Sequence, residues 1–72
     1  MITYYKLLDM LNRRGMTREE LKNISGISSA TMTKISKGES VTLKTINAIC
    51  EVLQVQPGDI LEWIPDKKTL EN

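Results

Sequence analysis

The chain contains no histidine, no phenylalanine and a single cysteine in 72 residues. With Cys50 alone and no histidine, the common zinc-binding spacings cannot form. No nucleophile–base pattern can be assembled, and no glycine-rich loop of the phosphate-cradling kind occurs. These absences argue against an enzyme, and no cofactor or metal is expected. Aromatic residues are confined to Tyr4, Tyr5 and Trp63. No apolar run approaches the ~18 residues that suggest a transmembrane helix. The opening Met-Ile-Thr-Tyr-Tyr-Lys lacks the basic start and apolar stretch of a secretory signal. The expectation is a cytoplasmic protein without a membrane partner. Seventy-two residues give room for one small, marginally stable domain, which dimerisation would supplement with buried area. They leave none for a separate effector-binding or catalytic domain, so no small-molecule ligand is expected.

Charge of either sign is also scarce in the balance, at +1 overall, but it is unevenly placed. Between Arg13 and Lys44 seven basic residues face only Glu19, Glu20 and Glu39, giving +4. From Thr45 to Asn72 five acids face Lys67 and Lys68, giving −3. Such an asymmetry fits one face for phosphate and another turned away from it. Charge alone is more often an ordinary solvated surface.

What is present centres on Thr17 to Gly38, TREELKNISGISSATMTKISKG. Thr17 suits a helix N-cap, and Glu20 three residues later completes a capping box. Leu21 and Ile24 give the first helix an apolar face. Ser25-Gly26-Ile27-Ser28 reads as a turn, with Gly26 where a positive φ excludes side chains. Ser28 suits the cap of a second helix, whose Met32 and Ile35 face Leu21. A glycine between two short helices, with apolar residues clamping the corner, is what a helix-turn-helix requires. The same features serve an αα-hairpin in any small bundle.

The ordered series of residues resembles the Cro/lambda-repressor-like helix-turn-helix domains, also called the xenobiotic-response-element family. Their pattern of Thr-Gln-Glu-Glu-Leu-Ala, a Gly-Val-Ser turn, Ser-Thr-Ile-Ser-Arg-Ile and Asn-Gly is met by Thr17 to Lys22, Gly26 to Ser28, Ala30 to Ile35 and Lys37-Gly38. The likeness extends over Ile2 to Tyr4, Leu7 to Leu11, Thr45 to Leu53 and Val55 to Leu61, roughly nine tenths of the chain. The Ile-Cys-Glu-Val-Leu run followed by Gln-Pro-Gly-Asp-Ile is similar to that of a compact bacterial and phage subgroup of stand-alone regulators. The chain departs from the pattern at Arg18, where Gln is usual, and at Lys22, where Ala is usual. A lysine stem can lie across the helix contact while its ammonium reaches water.

The resemblance implies an all-α, five-helix domain over residues 1–65 with its helix-turn-helix at about 17–37, followed by a polar tail over 66–72. The apolar spacing of Tyr4, Leu7, Leu8 and Leu11 agrees with a first helix from Thr3 to Arg14, ended by Gly15. Met16 can staple onto Leu21. Thr42 suits the cap of a fourth helix with a stripe of Leu43, Ile46, Ile49, Cys50 and Leu53, in which Cys50 acts as a small hydrophobe. Pro57 and Asp59 suit the start of a last short helix. Residues 60–64 fit either that helix or a short strand, and Pro65 stops them. Trp63 either fills its own core or pairs with a second copy.

In the family's docking mode the second motif helix enters the major groove. Its base-reading positions fall on Ser29, Ala30, Thr33 and Lys34. Phosphate contacts fall on Thr17, Arg18, Thr31, Lys37 and Gly38, with Lys44, Arg13 and Arg14 as weaker candidates. The implied partners are double-stranded DNA and a second copy, through Ile60, Leu61, Trp63 and Ile64. The implied function is a sequence-specific transcriptional regulator on a palindromic operator. The competing reading is an antitoxin-like or adaptor helix-turn-helix whose main partner is a protein. Such a protein would bind DNA feebly until that partner was added.

Overall fold

In the computed structural model, which describes residues 1–65, the elements run β1 (Ile2–Thr3), α1 (Tyr5–Arg14), α2 (Arg18–Ser25), α3 (Ser29–Lys37), α4 (Leu43–Leu53), a 3₁₀ turn (Pro57–Asp59) and β2 (Glu62–Trp63). Local signals set most of these boundaries. Thr17, Ser28 and Thr42 each accept a hydrogen bond from the backbone N–H three residues on, satisfying a donor that the helix start leaves unpaired. All four α-helices end in a left-handed residue: Gly15, Gly26, Gly38 and, at the end of α4, Gln54.

The helices close around Tyr4, Leu7, Leu11, Leu21, Met32, Ile35, Ile46, Ile49, Leu53 and Ile60. Leu8 is half-buried, and Met16 packs against the core from just before α2, as a staple should. Cys50 is half-buried against the same core. Burial and, second, the negative charge of Asp59 push its thiol up, so it remains protonated at neutral pH.

Three expectations need correction. Among the described residues there are four α-helices, not five, and a two-stranded antiparallel sheet. The expected fifth helix is a three-residue 3₁₀ turn, started by Pro57 and by the Gln56 N–H bonded to Asp59 Oδ2 at 2.9 Å. Beyond it Ile60 is drawn fully into the core. The chain then runs extended, with Ile2 opposite Trp63 and Thr3 opposite Glu62, and the Ile64 N–H reaches the Met1 carbonyl at 2.8 Å. Pairing with that segment also removes Thr3 from α1, which starts at Tyr5.

The second correction concerns Ile24, which is 51% exposed. The inward position one turn after Leu21 is taken by half-buried Ser25, whose hydroxyl donates to the Leu21 carbonyl at 2.6 Å. The third concerns Leu43, which is 85% exposed. It lies in the first turn of α4 between exposed Thr42 and Lys44, where no element covers it, and the buried stripe begins only at Ile46. The polar tail expected over 66–72 lies outside the described residues. Among the described residues, no helix is long and apolar enough to cross a membrane.

Candidate nucleic-acid interface

The α2–turn–α3 unit is rigid at both ends and in the corner. Thr17 Oγ1 accepts from the Glu20 N–H at 3.1 Å, while the Thr17 N–H donates to Glu20 Oε1 at 3.2 Å, which completes the capping box. Gly26, at φ 76°, turns the chain and donates its N–H to the Lys22 carbonyl at 3.0 Å. Ser28 Oγ accepts from the Thr31 N–H at 3.1 Å and donates to Thr31 Oγ1 at 2.9 Å. Leu21, Met32 and Ile35 are buried at the corner, with Ile27 partly buried beside them. Tyr4 braces the far end, its hydroxyl donating to the Glu39 carbonyl just after α3 at 2.7 Å.

With Met32 and Ile35 turned inward, α3 presents Ser29, Ala30, Thr33, Lys34 and Lys37 outward, all exposed. Their spacing keeps them on one side of the helix. Every residue expected to read bases is therefore on this face. Thr31 is half-buried at its edge. Two clefts flank α3. One, about 340 Å³, lies towards α2 and is lined by Arg18, Glu19, Lys22, Ser29, Thr33 and Lys37 among others. The second, about 370 Å³, lies towards the start of α4 and includes Thr31, Lys34, Ser40, Thr42 and Thr45. The arrangement is a helical ridge bordered by cations and hydroxyls.

Arg18 stands beside the Thr17 cap at the start of α2 and makes no ion pair among the described residues. Its two acidic neighbours are occupied elsewhere. Glu20 closes the capping box, and Glu19 pairs with Lys22 at 2.9 Å. Lys37 and Gly38 lie together at the exposed C-terminal end of α3. Lys44 is exposed in the first turn of α4. Of the other weaker candidates, Arg13 is exposed and pairs with Asp9 one turn back on α1, and Arg14 Nη1 donates to the Leu53 carbonyl at 3.1 Å.

Lys22 has partners beyond the water that its ammonium can reach: it pairs with the Glu19 carboxylate at 2.9 Å and donates to Ser29 Oγ at 3.2 Å in an exposed position, with its side chain 23% exposed. The Glu19 partner was legible from its i, i+3 spacing on one helix. Ser29 was not, because it lies across the turn.

The residues expected at a second-copy interface are divided. Ile60 is buried in the chain's own core, Leu61 and Ile64 are half-buried, and Trp63 is 66% exposed. Exposed Ile2 pairs opposite Trp63 on the small sheet, and exposed Met1 and Tyr5 flank that strand.

A capped helix, a glycine turn and a second helix with a polar, cationic outer face define a helix-turn-helix DNA-binding module. The chain belongs to the family of Cro/C1-type HTH DNA-binding domains, whose model matches residues 6–66. It stands among the HTH transcriptional regulators. It is 42% identical over 62 residues to the uncharacterised HTH-type transcriptional regulator YozG of Bacillus subtilis, covering 83% of this chain and 74% of that protein. The crystal structure of the transcriptional regulator VanUg is similar to it with a TM-score of 0.86 and 40% identity, over 90% of this chain and 87% of that one.

Proposed function

We propose that this regulator binds double-stranded DNA sequence-specifically, as a homodimer on a palindromic operator, with α3 in the major groove. The observation that carries the reading is the outer face of α3. Ser29, Ala30, Thr33 and Lys34 are all exposed on one side of a helix whose two ends and corner are fixed. Lys34 is suited to donate to guanine O6 and N7, and Ala30 to meet a thymine methyl. Ser29 and Thr33 are short, so DNA shape carries much of the specificity.

The N–H groups at the start of α2, beside Thr17, hold one phosphate and Arg18 adds charge there. Thr31 meets the backbone at the groove edge, and Lys37 with Gly38 approaches the neighbouring phosphate. One module covers few base pairs, and two-fold pairing places two copies of α3 about 34 Å apart. The exposed side chains Ile2 and Trp63 on the sheet support pairing there, with Leu61 and Ile64 at its margin. Ile60 anchors the segment from inside.

Selection of randomised duplex DNA by the purified protein tests this reading. A palindrome with half-sites one helical turn apart is expected. A folded protein that enriches nothing would instead favour the protein-interaction reading, to which the same exposed sheet face would lend itself.

A further inference from the structure

We propose that Lys22, which lies behind the reading helix on α2, biases the hydrogen-bond polarity of Ser29 and favours its use as a donor to a base-edge acceptor. The inference rests on α3 being the reading helix.

A serine hydroxyl has one hydrogen and two lone pairs, so by itself it accepts from a base amino group as readily as it donates to a base oxygen or ring nitrogen. A lysine ammonium can only donate. Lys22 Nζ lies 3.2 Å from Ser29 Oγ, so it occupies a lone pair of that oxygen. The ammonium also pairs with Glu19 at 2.9 Å, and the Lys22 side chain is 23% exposed, which favours this placement. The Ser29 hydrogen is thereby kept away from the ammonium, which leaves it and one lone pair for other partners, such as a base. An approaching amino group of cytosine or adenine also meets the positive charge directly behind the oxygen. The groups favoured are the acceptors of the major groove: guanine O6 and N7, adenine N7 or thymine O4.

Thr33, one turn along the same face, is set the opposite way. Its hydroxyl donates to the Ser29 carbonyl at 3.0 Å, which leaves its lone pairs outward. It is matched to a base amino group, and Lys22 makes no bond to it. Two neighbouring hydroxyls that look interchangeable in sequence are thus biased towards opposite polarity. Lys22 is a positioning residue here, since it acts on the base through Ser29.

The test compares DNA selections for the wild-type protein, Lys22→Met, Lys22→Arg and Ser29→Ala, followed by binding to duplexes varied at single positions. Lys22→Met keeps the apolar stem and removes the donor. It should reduce discrimination at one base position per half-site by roughly three- to ten-fold, the worth of one hydrogen bond, and admit amino-bearing bases there. Preference opposite Thr33 should not change. Lys22→Arg, which keeps a donor, should retain the wild-type preference. Adding Lys22→Met to Ser29→Ala should cause no further change at that position. A Lys22→Met protein that binds every sequence more weakly by one common factor, or that keeps its base preference, overturns the proposal: Lys22 would then be only a charge. A folded wild-type protein that selects no sequence overturns the α3 reading itself, and this inference with it.

Discussion

Lys34 and Arg18 are both exposed cations without an ion pair among the described residues, yet their positions give them different tasks. Lys34 is exposed on the outer face of α3, the face proposed to meet base edges. Arg18 lies beside the Thr17 cap, where helix N–H groups already favour an anion. Lys34→Ala should therefore relax base preference at one position, at about 1–3 kcal/mol. Arg18→Ala should weaken all sequences alike and lower the salt slope by about one. Titrations of single-position operator variants at several salt concentrations separate the two. Equal losses on every sequence for both variants would misplace the reading helix. Ser29, Ala30, Thr33 and Lys34 were singled out by the family resemblance, and inward Met32 and Ile35 agree with their exposure on one face of α3. Lys22 was half legible, because a partner on the same helix follows from spacing and a partner across a turn does not. Ile24 and Leu43 were misread for a related reason. Apolar spacing marks a face, but it cannot say whether another element arrives to cover its last residue.

At the scale of elements, the helix-turn-helix depends on its glycine corner. Gly26 sits at φ 76°, and a Cβ there would touch nothing within 4 Å. The cost of Gly26→Ala is then purely conformational, about 1–2 kcal/mol, with no clash to relieve. Urea unfolding should show that loss with an unchanged m-value. A neutral result would mean that the corner tolerates another backbone shape. Helix ends of this kind were legible because caps and left-handed glycines act within a few residues of sequence. The sheet was not. Ile2 and Trp63 become neighbours only when the whole fold brings the first and last described segments together. The turn after α4 shows both behaviours. Pro57 and Asp59 started a helical turn as expected, and burial of Ile60 together with strand pairing stopped it after three residues.

For the whole molecule, the exposed cations of the helix-turn-helix and the exposed apolar residues of the small sheet lie on different elements, although Ile24 and Leu43 are exposed as well. Cations gather around α2 and α3, while Ile2 and Trp63 lie exposed on the small sheet, with Met1 and Tyr5 beside it. In a chain of 72 residues, so much exposed apolar surface in one place suits a second copy. Because Trp63 is already exposed, Trp63→Asp should leave the fold intact and yield a monomer that binds the operator weakly. Sedimentation would show this, and a variant that stays dimeric and binds normally would move the interface elsewhere. The net charge of +1 concealed the basic face, since the acidic C-terminal part cancels it in the sum.

Amide chemical shifts recorded as the selected duplex is added to the labelled protein test most directly whether α3 meets the DNA. The largest changes are expected at Thr17 and Arg18 and along Ser29 to Lys34. A duplex that binds and shifts amides elsewhere while those of α3 stay still would contradict it.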